Sequence, residues 1–370
     1  MKILTIVGAR PQFIKAAAVG RAVAAHNAAG GPQVDERIVH TGQHYDENMS
    51  AAFFEQLGLP EPAVNLGVGS GSHAQQTALM IERLEPVLLG ERPDVALVYG
   101  DTNSTLAGAL VAAKLNIPIA HVEAGLRSFN RRMPEEINRC ITDRLSDILF
   151  CPTEAAAANL AAEGVSRGVH RVGDVMYDSV LHFAEVAERS SRILEAMGLA
   201  PGGYGLATVH RAENTDDPAR LAGVLEALSA APVPIIFPLH PRTRKMLGAG
   251  IEKVGGRVRI VEPAPYLDML RLERHARVIL TDSGGVQKEA FWFGVPCVTL
   301  RGETEWVELA ESGWNRVAGT DPAAIRAALD WAESMDRSMP RPGFYGEGNA
   351  ASRVVSVLAR RSGGGTSGGG

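Results

Sequence analysis

Short apolar runs recur through the first half of the chain at Ile3–Val7, Arg37–His40, Val95–Tyr99, Ile117–Val122 and Ile148–Cys151, each bounded by turn residues. The segments between them have helical spacing: Phe13 to about Val23, Ala74 to Leu89, Leu106 to Lys114, and Pro134 to Leu145, the last with proline in its first turn, where a missing N–H removes no helical bond. Near-continuous apolar strands alternating with helices predict a parallel sheet, because parallel neighbours need a crossover and the crossover helices bury both sheet faces. The pattern then starts again, with strands at Gly205–Val209, Ile235–Leu239, Val258–Val261, Val278–Thr281 and Cys297–Leu300. The fold class is therefore α/β, with two doubly wound domains in tandem facing each other across a cleft. The first domain spans residues 1–172 and the second 173–348, with Arg171–Asp178 as the crossover; a helix over about 349–361 returns to the first domain, and the Gly/Ser-rich 362–370 is a flexible tail. In such sheets ligands bind beyond the carboxyl ends of the strands.

Composition narrows the function classes. With 370 residues, 45% of them hydrophobic and 21% charged, the chain can bury two cores and is too apolar for disorder. A net charge of −5 and the lack of any basic stretch exclude non-specific nucleic-acid binding, so a phosphate site has to be local. Cys140, Cys151 and Cys297 form no CxxC, which supports neither zinc nor a disulfide framework and suits buried thiols in a reducing compartment. The start runs straight into a strand without a signal-peptide core, and no window reaches transmembrane length, so the expected location is the cytoplasm with no membrane partner.

The run Leu280–Gly294 places Ser283, Gly284 and Gly285 between an apolar strand and an amphipathic helix. Ser283 can cap the helix, the glycines let the backbone approach a ligand, and the unpaired N–H groups of the first turn favour an anion. Glu289 follows on the same helix and can accept hydrogen bonds from sugar hydroxyls, so a nucleoside diphosphate is the simplest ligand; glycines that merely close a turn are the plain alternative. His210 and Arg211 follow the first strand of the second domain, His240 and Arg242 the second, and Arg301, Thr304 and Glu305 a later one. In the first domain the loop with Arg10 is no GxGxxG and no P-loop, so a nicotinamide cofactor is unsupported and no cofactor or metal is expected. The polar loop with Gln43 and His44 can recognise sugar hydroxyls or simply be a solvated turn. Asp101 and Glu123 stand at the ends of neighbouring strands, and Glu135 in the first turn of the helix from Pro134. Acids gathered at one edge repel each other and leave an acid and a base near neutrality, the constellation of proton transfer. Singly, Asp101 also reads as a helix N-cap, Glu123 as the structural partner of Arg127, and Glu135 as a complement to the helix dipole.

Taken together, Gly8–Lys15, Thr41–Met49, Gly100–Ser104, His121–Arg139, His210–Asn214, His240–Arg242 and Asp282–Glu289 resemble, in order and spacing, the non-hydrolysing UDP-N-acetylglucosamine 2-epimerases over nearly all of Met1 to Arg361. The resemblance implies two Rossmann-like domains of the glycosyltransferase-B type, a homodimer, and a UDP-sugar substrate. It implies Asp101, Glu123, Glu135 and His210 as catalytic, and Arg10, Arg211, His240, Ser283, Gly284, Gly285 and Glu289 as UDP contacts, Glu289 on the ribose. Further sugar contacts are expected at Gln43, His44, Arg139, Arg301, Thr304 and Glu305. The implied chemistry is anti elimination of UDP to a 2-acetamidoglucal and re-addition. In that chemistry Asp101 and Glu135 are expected to exchange the C2 proton, Glu123 to support developing charge and His210 to assist UDP. Ala9, Gln12, Ala212, Trp306 and a shorter stretch between Glu123 and Glu135 depart from the usual pattern and resemble the branch acting on UDP-2,3-diacetamido-2,3-dideoxy-glucuronate. A glycosyltransferase of the same fold and a silent UDP-sugar sensor are the other readings.

Overall fold

The apolar run at the start of the chain becomes strand β1 (Lys2–Val7), whose Ile3, Leu4, Ile6 and Val7 have no exposed surface. The computed structural model describes residues 1–43, 51–248 and 255–363. Around β1 lie β2 (Asp35–His40), β3 (Val64–Asn65), β4 (Val95–Tyr99), β5 (Ile119–Val122), β6 (Ile148–Cys151) and β7 (Val169–Arg171), in the order β3-β2-β1-β4-β5-β6-β7. Every pairing in this sheet is parallel. Leu4 and Ile6 pack with Met80, Leu84 and Leu88 of helix His73–Glu91 and with Ala107 and Val111 of helix Asn103–Lys114. Helix Arg10–Ala28 buries Phe13, Ile14 and Val19. The second sheet is wound the same way: β8 (Gly205–Thr208), β9 (Ile235–Pro238), β10 (Val258–Val261), β11 (Val278–Thr281), β12 (Cys297–Thr299) and β13 (Asn315–Val317) take the order β10-β9-β8-β11-β12-β13. Val224 and Leu228 of helix Pro218–Ser229, with Ile325 and Leu329 of helix Pro322–Ser334, pack with Ile235, Phe237 and Leu280 in one core cluster. Tyr204, Leu272 and Ala290 pack with Leu206 and Ile279 in another.

The strands β3, β7 and β13 are not foreseen by the apolar pattern, because each has only two or three residues and half-polar composition. Helix Arg10–Ala28 opens three residues before Phe13, its polar first turn hiding it from an apolar count. Helix His73–Glu91 opens on a capping box, in which the Ser72 hydroxyl accepts from the Gln75 N–H and the Gln75 side chain from the Ser72 N–H, both at 3.3 Å.

The chain divides into Met1–Ser179 with Gly343–Gly370, and Val180–Pro342. The division falls inside helix Val175–Ser190 rather than at residue 172, because the first turn of that helix is bonded into the first unit. Ser179 Oγ donates to the Ile14 carbonyl at 2.6 Å, and the Asp178 carboxylate accepts from the N–H groups of Ala350 and Ala351 at 3.2 and 2.7 Å, capping the last helix. That helix, Ala350–Gly363, packs on Arg10–Ala28 and includes Ser362 and Gly363, two residues expected in the tail. Gly173 in the crossover has φ +96°, and a Cβ there would stand 2.8 Å from the Tyr345 carbonyl, so the turn requires glycine. No described helix is long and apolar enough to cross a membrane.

One acid in this unit is held away from its ordinary range. Glu36 on β2 is pushed up to about 7 by burial, against the Thr5 hydroxyl that donates to it at 2.6 Å. A raised carboxyl pKa favours the folded state below the unfolded value of 4.5, and the advantage disappears as pH rises through about 7. Glu36→Gln is therefore expected to melt with wild type at pH 5 and above it at pH 8; an equal offset at both pH values in calorimetry would contradict this.

Candidate active site

Each sheet reverses its strand order beside its first strand, between β1 and β4 in one unit and between β8 and β11 in the other. At the first reversal the loop after β1 is built with no slack. A Cβ at Gly8 would lie 2.0 Å from Thr41 Oγ1 and 2.1 Å from Ser104 Oγ. Buried Gln12 closes the loop: its oxygen accepts from the N–H groups of Gly8 and Ala9 at 2.8 and 3.0 Å, and its nitrogen donates to the Tyr99 carbonyl and Thr105 hydroxyl at 2.7 and 3.0 Å. An ionised glutamate at this position would have no proton for the last two bonds, so the loop as built requires the amide. Arg10 remains exposed, its guanidinium 5.4 Å from the Phe53 ring centre. The Gln43 amide oxygen accepts from the Ser104 N–H and hydroxyl at 3.0 and 2.7 Å. His44 lies outside the described residues.

The three candidate acids of this unit meet different partners. Arg139 donates to Asp101 Oδ2 through Nε at 3.0 Å and Nη2 at 2.6 Å, while its Nη1 donates to Glu136 at 2.9 Å. Asn138, the neighbouring residue on helix Pro134–Leu145, donates to the Asp101 carbonyl at 2.9 Å. Glu123 pairs with Lys15, and both side chains are 10% exposed. A Cβ built on Gly100 would lie 3.2 Å from Glu123 Oε2, so the Glu123 carboxylate stands beside the residue preceding Asp101. Half-buried Glu135 makes no hydrogen bond or ion pair among the described residues, and shares its helix face with Asn138 and Arg139 at i+3 and i+4. The expected repulsion among the acids is thus answered by two cations, and Glu135 alone stays uncommitted. The structural roles open to Asp101 and Glu123 go elsewhere, since Thr102 caps helix Asn103–Lys114 and Arg127 pairs with Asp143 and Glu163, while Glu135 does stand in the first turn of its helix. Arg139 spends its guanidinium on Asp101 and Glu136, which places it behind an acid. Glu136 accepts from the N–H groups of Ser128 and Phe129, both at 2.9 Å; burial works against its charge, but these bonds and Arg139 hold it below the usual carboxylate range.

In the second unit the organising residue is Asp282, which has no exposed surface. It accepts from the backbone N–H of His210 at 3.1 Å, from that of Arg211 at 3.0 Å, and from Asn214 Nδ2 at 3.1 Å. The loops after β8 and β11 are thereby joined. Burial lowers the His210 imidazole below its ordinary value; Asp282 opposes this, and Arg211 and Arg242 reinforce it. A neutral ring is then present near pH 7, with the His240 ring 5.4 Å away centre to centre. Ser283 is the N-cap of helix Gly284–Phe293, with Val286 N 3.5 Å from its hydroxyl oxygen. Arg211 reaches Glu305 at 3.6 Å, and buried Arg301 donates to Glu305 at 2.6 Å. Thr304 donates to Gln287 at 2.7 Å and so ties the loop to the helix, while Arg301 and Glu305 brace the loop from within. Glu289 is buried, and Glu273 behind it is raised well above the usual range by burial and by the charge of Glu289.

Sequence reasoning missed Lys15, His121, Glu136, Asn138, Asp143 and Asp282. Lys15 could have been found as the lone cation inside the apolar run Phe13–Val19, and Asp143 by its place four residues after Arg139, itself four after Glu135.

Two doubly wound parallel sheets, each with polar loops gathered where its strand order reverses, define an α/β protein with two Rossmann-like domains of the glycosyltransferase-B type. The chain belongs to the UDP-N-acetylglucosamine 2-epimerase family, whose model matches residues 26–359. It is 52% identical over 371 residues to a UDP-2,3-diacetamido-2,3-dideoxy-D-glucuronate 2-epimerase of Pseudomonas aeruginosa, covering 97% of this chain and all of that one. It is 50% identical over 367 residues to a UDP-N-acetylglucosamine 2-epimerase homolog of Methanococcus maripaludis, covering 97% and 99% of the two chains. The crystal structure of the Methanocaldococcus jannaschii UDP-GlcNAc 2-epimerase in complex with UDP-GlcNAc and UDP superposes with a TM-score of 0.89 at 43% identity, over 97% of this chain and all of that one.

The two glycines of the candidate cradle differ in a testable way. A Cβ at Gly284 would stand 2.6 Å from Glu305 Oε1 and 3.1 Å from Trp306 Nε1, whereas one at Gly285 meets only Ser283 Oγ at 3.8 Å. Packing within the chain therefore accounts for the first glycine and not the second. Gly284→Ala is expected to lower the melting temperature. Gly285→Ala should melt at or above wild type, by up to about 1 kcal/mol of helix propensity, and lose at least about tenfold in nucleoside-diphosphate affinity, the equivalent of ~1.4 kcal/mol. Unchanged affinity in titration calorimetry would remove Gly285 from the cradle.

Proposed function

We propose that this protein inverts C2 of a UDP-N-acetylhexosamine by anti elimination of UDP to a 2-acetamidoglucal and re-addition, supplying a precursor of cell-surface polysaccharide in the cytoplasm as a homodimer. The observation that carries the reading is the different pairing of three acids at one sheet edge: Asp101 with Arg139, Glu123 with Lys15, and Glu135 uncommitted. The C2 hydrogen has no adjacent carbonyl, so direct deprotonation is too slow. As the C1–O bond to UDP lengthens, positive charge at C1 acidifies that hydrogen. One carboxylate takes the C2 proton, the C–H electron pair becomes the C1–C2 double bond, and UDP leaves with the C1–O pair. A second acid then protonates the opposite face of C2, and UDP re-adds at C1. Asp101, paired with Arg139, suits the base of one direction, and Glu135, with no ion pair among the described residues, suits the group that serves the other face. Glu123, neutralised by Lys15, is the anion that supports charge at C1. Each such acid–base group contributes roughly 100- to 10,000-fold in rate. In the second unit Arg211, His240, Ser283, Gly284 and Gly285 hold the diphosphate, Glu289 the ribose, and neutral His210 assists the departing UDP.

The Pseudomonas relative and the departures at Ala9, Gln12, Ala212 and Trp306 favour a second substrate for the same chemistry, UDP-2,3-diacetamido-2,3-dideoxy-glucuronate. Incubation with either sugar nucleotide in deuterated water, followed by NMR at C2, tests both. Deuterium at C2 with the UDP linkage intact is expected for the true substrate. UDP release only when an acceptor is added would make the protein a glycosyltransferase, and no change with either sugar would make it a binding protein.

A further inference from the structure

The helix that carries Glu135 ends in a buried charge network that the reaction does not use. Asp143, 2% exposed, faces His121, which has no exposed surface, at 2.7 Å between Oδ1 and Nδ1. His121 Nε2 stands 2.7 Å from the Gly100 carbonyl. A carbonyl can only accept, so Nε2 donates; an ionised carboxylate can only accept, so Nδ1 donates as well. Burial opposes the charge of Asp143, but His121 and Arg127 outweigh it and hold the group below its ordinary range. Its other oxygen accepts from the Gly125 N–H at 3.1 Å and from Arg127 Nη1 at 2.7 Å. Arg127 in turn grips Glu163 with Nε and Nη2 at 2.7 and 2.8 Å. The contacts run unbroken from Glu163 through Arg127 and Asp143 to His121.

What this network holds is the backbone of two acids. The Gly100 carbonyl belongs to the peptide unit that delivers Asp101, and Gly100 takes φ +63°, where the turn direction depends on what fixes it. Gly125, at φ +82°, lies two residues beyond Glu123, itself a non-glycine at φ +74°. One buried carboxylate therefore fixes the turn behind Asp101 through His121 and the turn behind Glu123 directly. We infer that His121 and Asp143 are positioning residues for the proton transfer at C2: they touch no substrate, and they set the spacing of Asp101 and Glu123.

The inference rests on the epimerase reading and predicts a separable loss. Displacing a reacting group by about 1 Å costs on the order of 100-fold in rate, and His121→Gln removes the imidazole link while keeping an amide of similar length. The experiment measures C2 deuterium exchange and epimerisation in the full-length protein for wild type, His121→Gln, Asp101→Asn and the double variant, with UDP affinity by calorimetry. Expected is a fall of about 100-fold in kcat for His121→Gln, with KM and UDP affinity near wild type. In the Asp101→Asn background the same substitution should cost little more, since residues acting through one group are not additive. Wild-type kcat in a folded His121→Gln, or an equal fold-loss in both backgrounds, overturns the inference. Should His121→Gln fail to melt cooperatively, Asp143→Asn, nearly isosteric, takes its place in the same cycle, with the same expected and contrary outcomes. A wild-type protein that exchanges no deuterium defeats the epimerase reading instead.

Discussion

The candidate chemistry of the first unit depends on one helix face. Helix Pro134–Leu145 presents Glu136, Asn138, Arg139 and Asp143 to the segments that leave β4 and β5, and its contacts reach Asp101, Ser128, Phe129, His121 and Gly125. Two loops from neighbouring strands have no reason of their own to hold their acids at a fixed spacing. The helix supplies it by bonding to both. Burying so many charges stabilises little, because desolvation offsets most of the attraction, whereas removing one partner of a buried pair typically costs about 3 to 5 kcal/mol. The face is therefore better understood as a device for position than as a source of stability.

The second unit solves the same problem with fewer parts. Asp282, at the end of β11, collects the N–H groups of His210 and Arg211 beyond β8 and the side chain of Asn214. In both units a buried carboxylate accepts from backbone donors that would otherwise be orphaned, Glu136 from Ser128 and Phe129 in the first and Asp282 from His210 and Arg211 in the second, and a buried unpaired N–H costs about 1 to 3 kcal/mol. Above these polar cores stand the groups that reach solvent, Glu135 and Arg10 at helix starts in one unit, His210, Arg211 and His240 after strands in the other. Rigid polar cores beneath and solvent-facing side chains above are what a site needs when its ligand is charged.

The doubly wound architecture was legible because its strands are continuous apolar runs with period-matched helices between them. Val95–Tyr99, Ile148–Cys151, Val258–Val261 and Val278–Thr281 have the bounds their hydrophobicity suggests. The outermost strands were not legible, since Val64–Asn65 and Asn315–Val317 owe their conformation to a neighbour's edge rather than to their own pattern. Asp101, Glu123 and Glu135 stood out as acids after strands or at a helix start. Their partners did not. Lys15 meets Glu123 across 108 positions of sequence, and Arg139 meets Asp101 across 38, distances at which local spacing carries no signal. The difference between Gly284, which packing demands, and Gly285, which it does not, likewise exists only in three dimensions.

Behind the assignments lies one chemical claim: the bond between the sugar and UDP breaks while C2 is inverted. Positional isotope exchange addresses it directly. A UDP-sugar carrying oxygen-18 only in the bridge between C1 and the β-phosphorus is incubated with the enzyme, and the label is followed by phosphorus NMR as epimerisation proceeds. The expected result is migration of the label into non-bridging β-phosphate positions, because a departed UDP can rotate its terminal phosphate before re-adding. Inversion of C2 with the label still wholly in the bridge would contradict it.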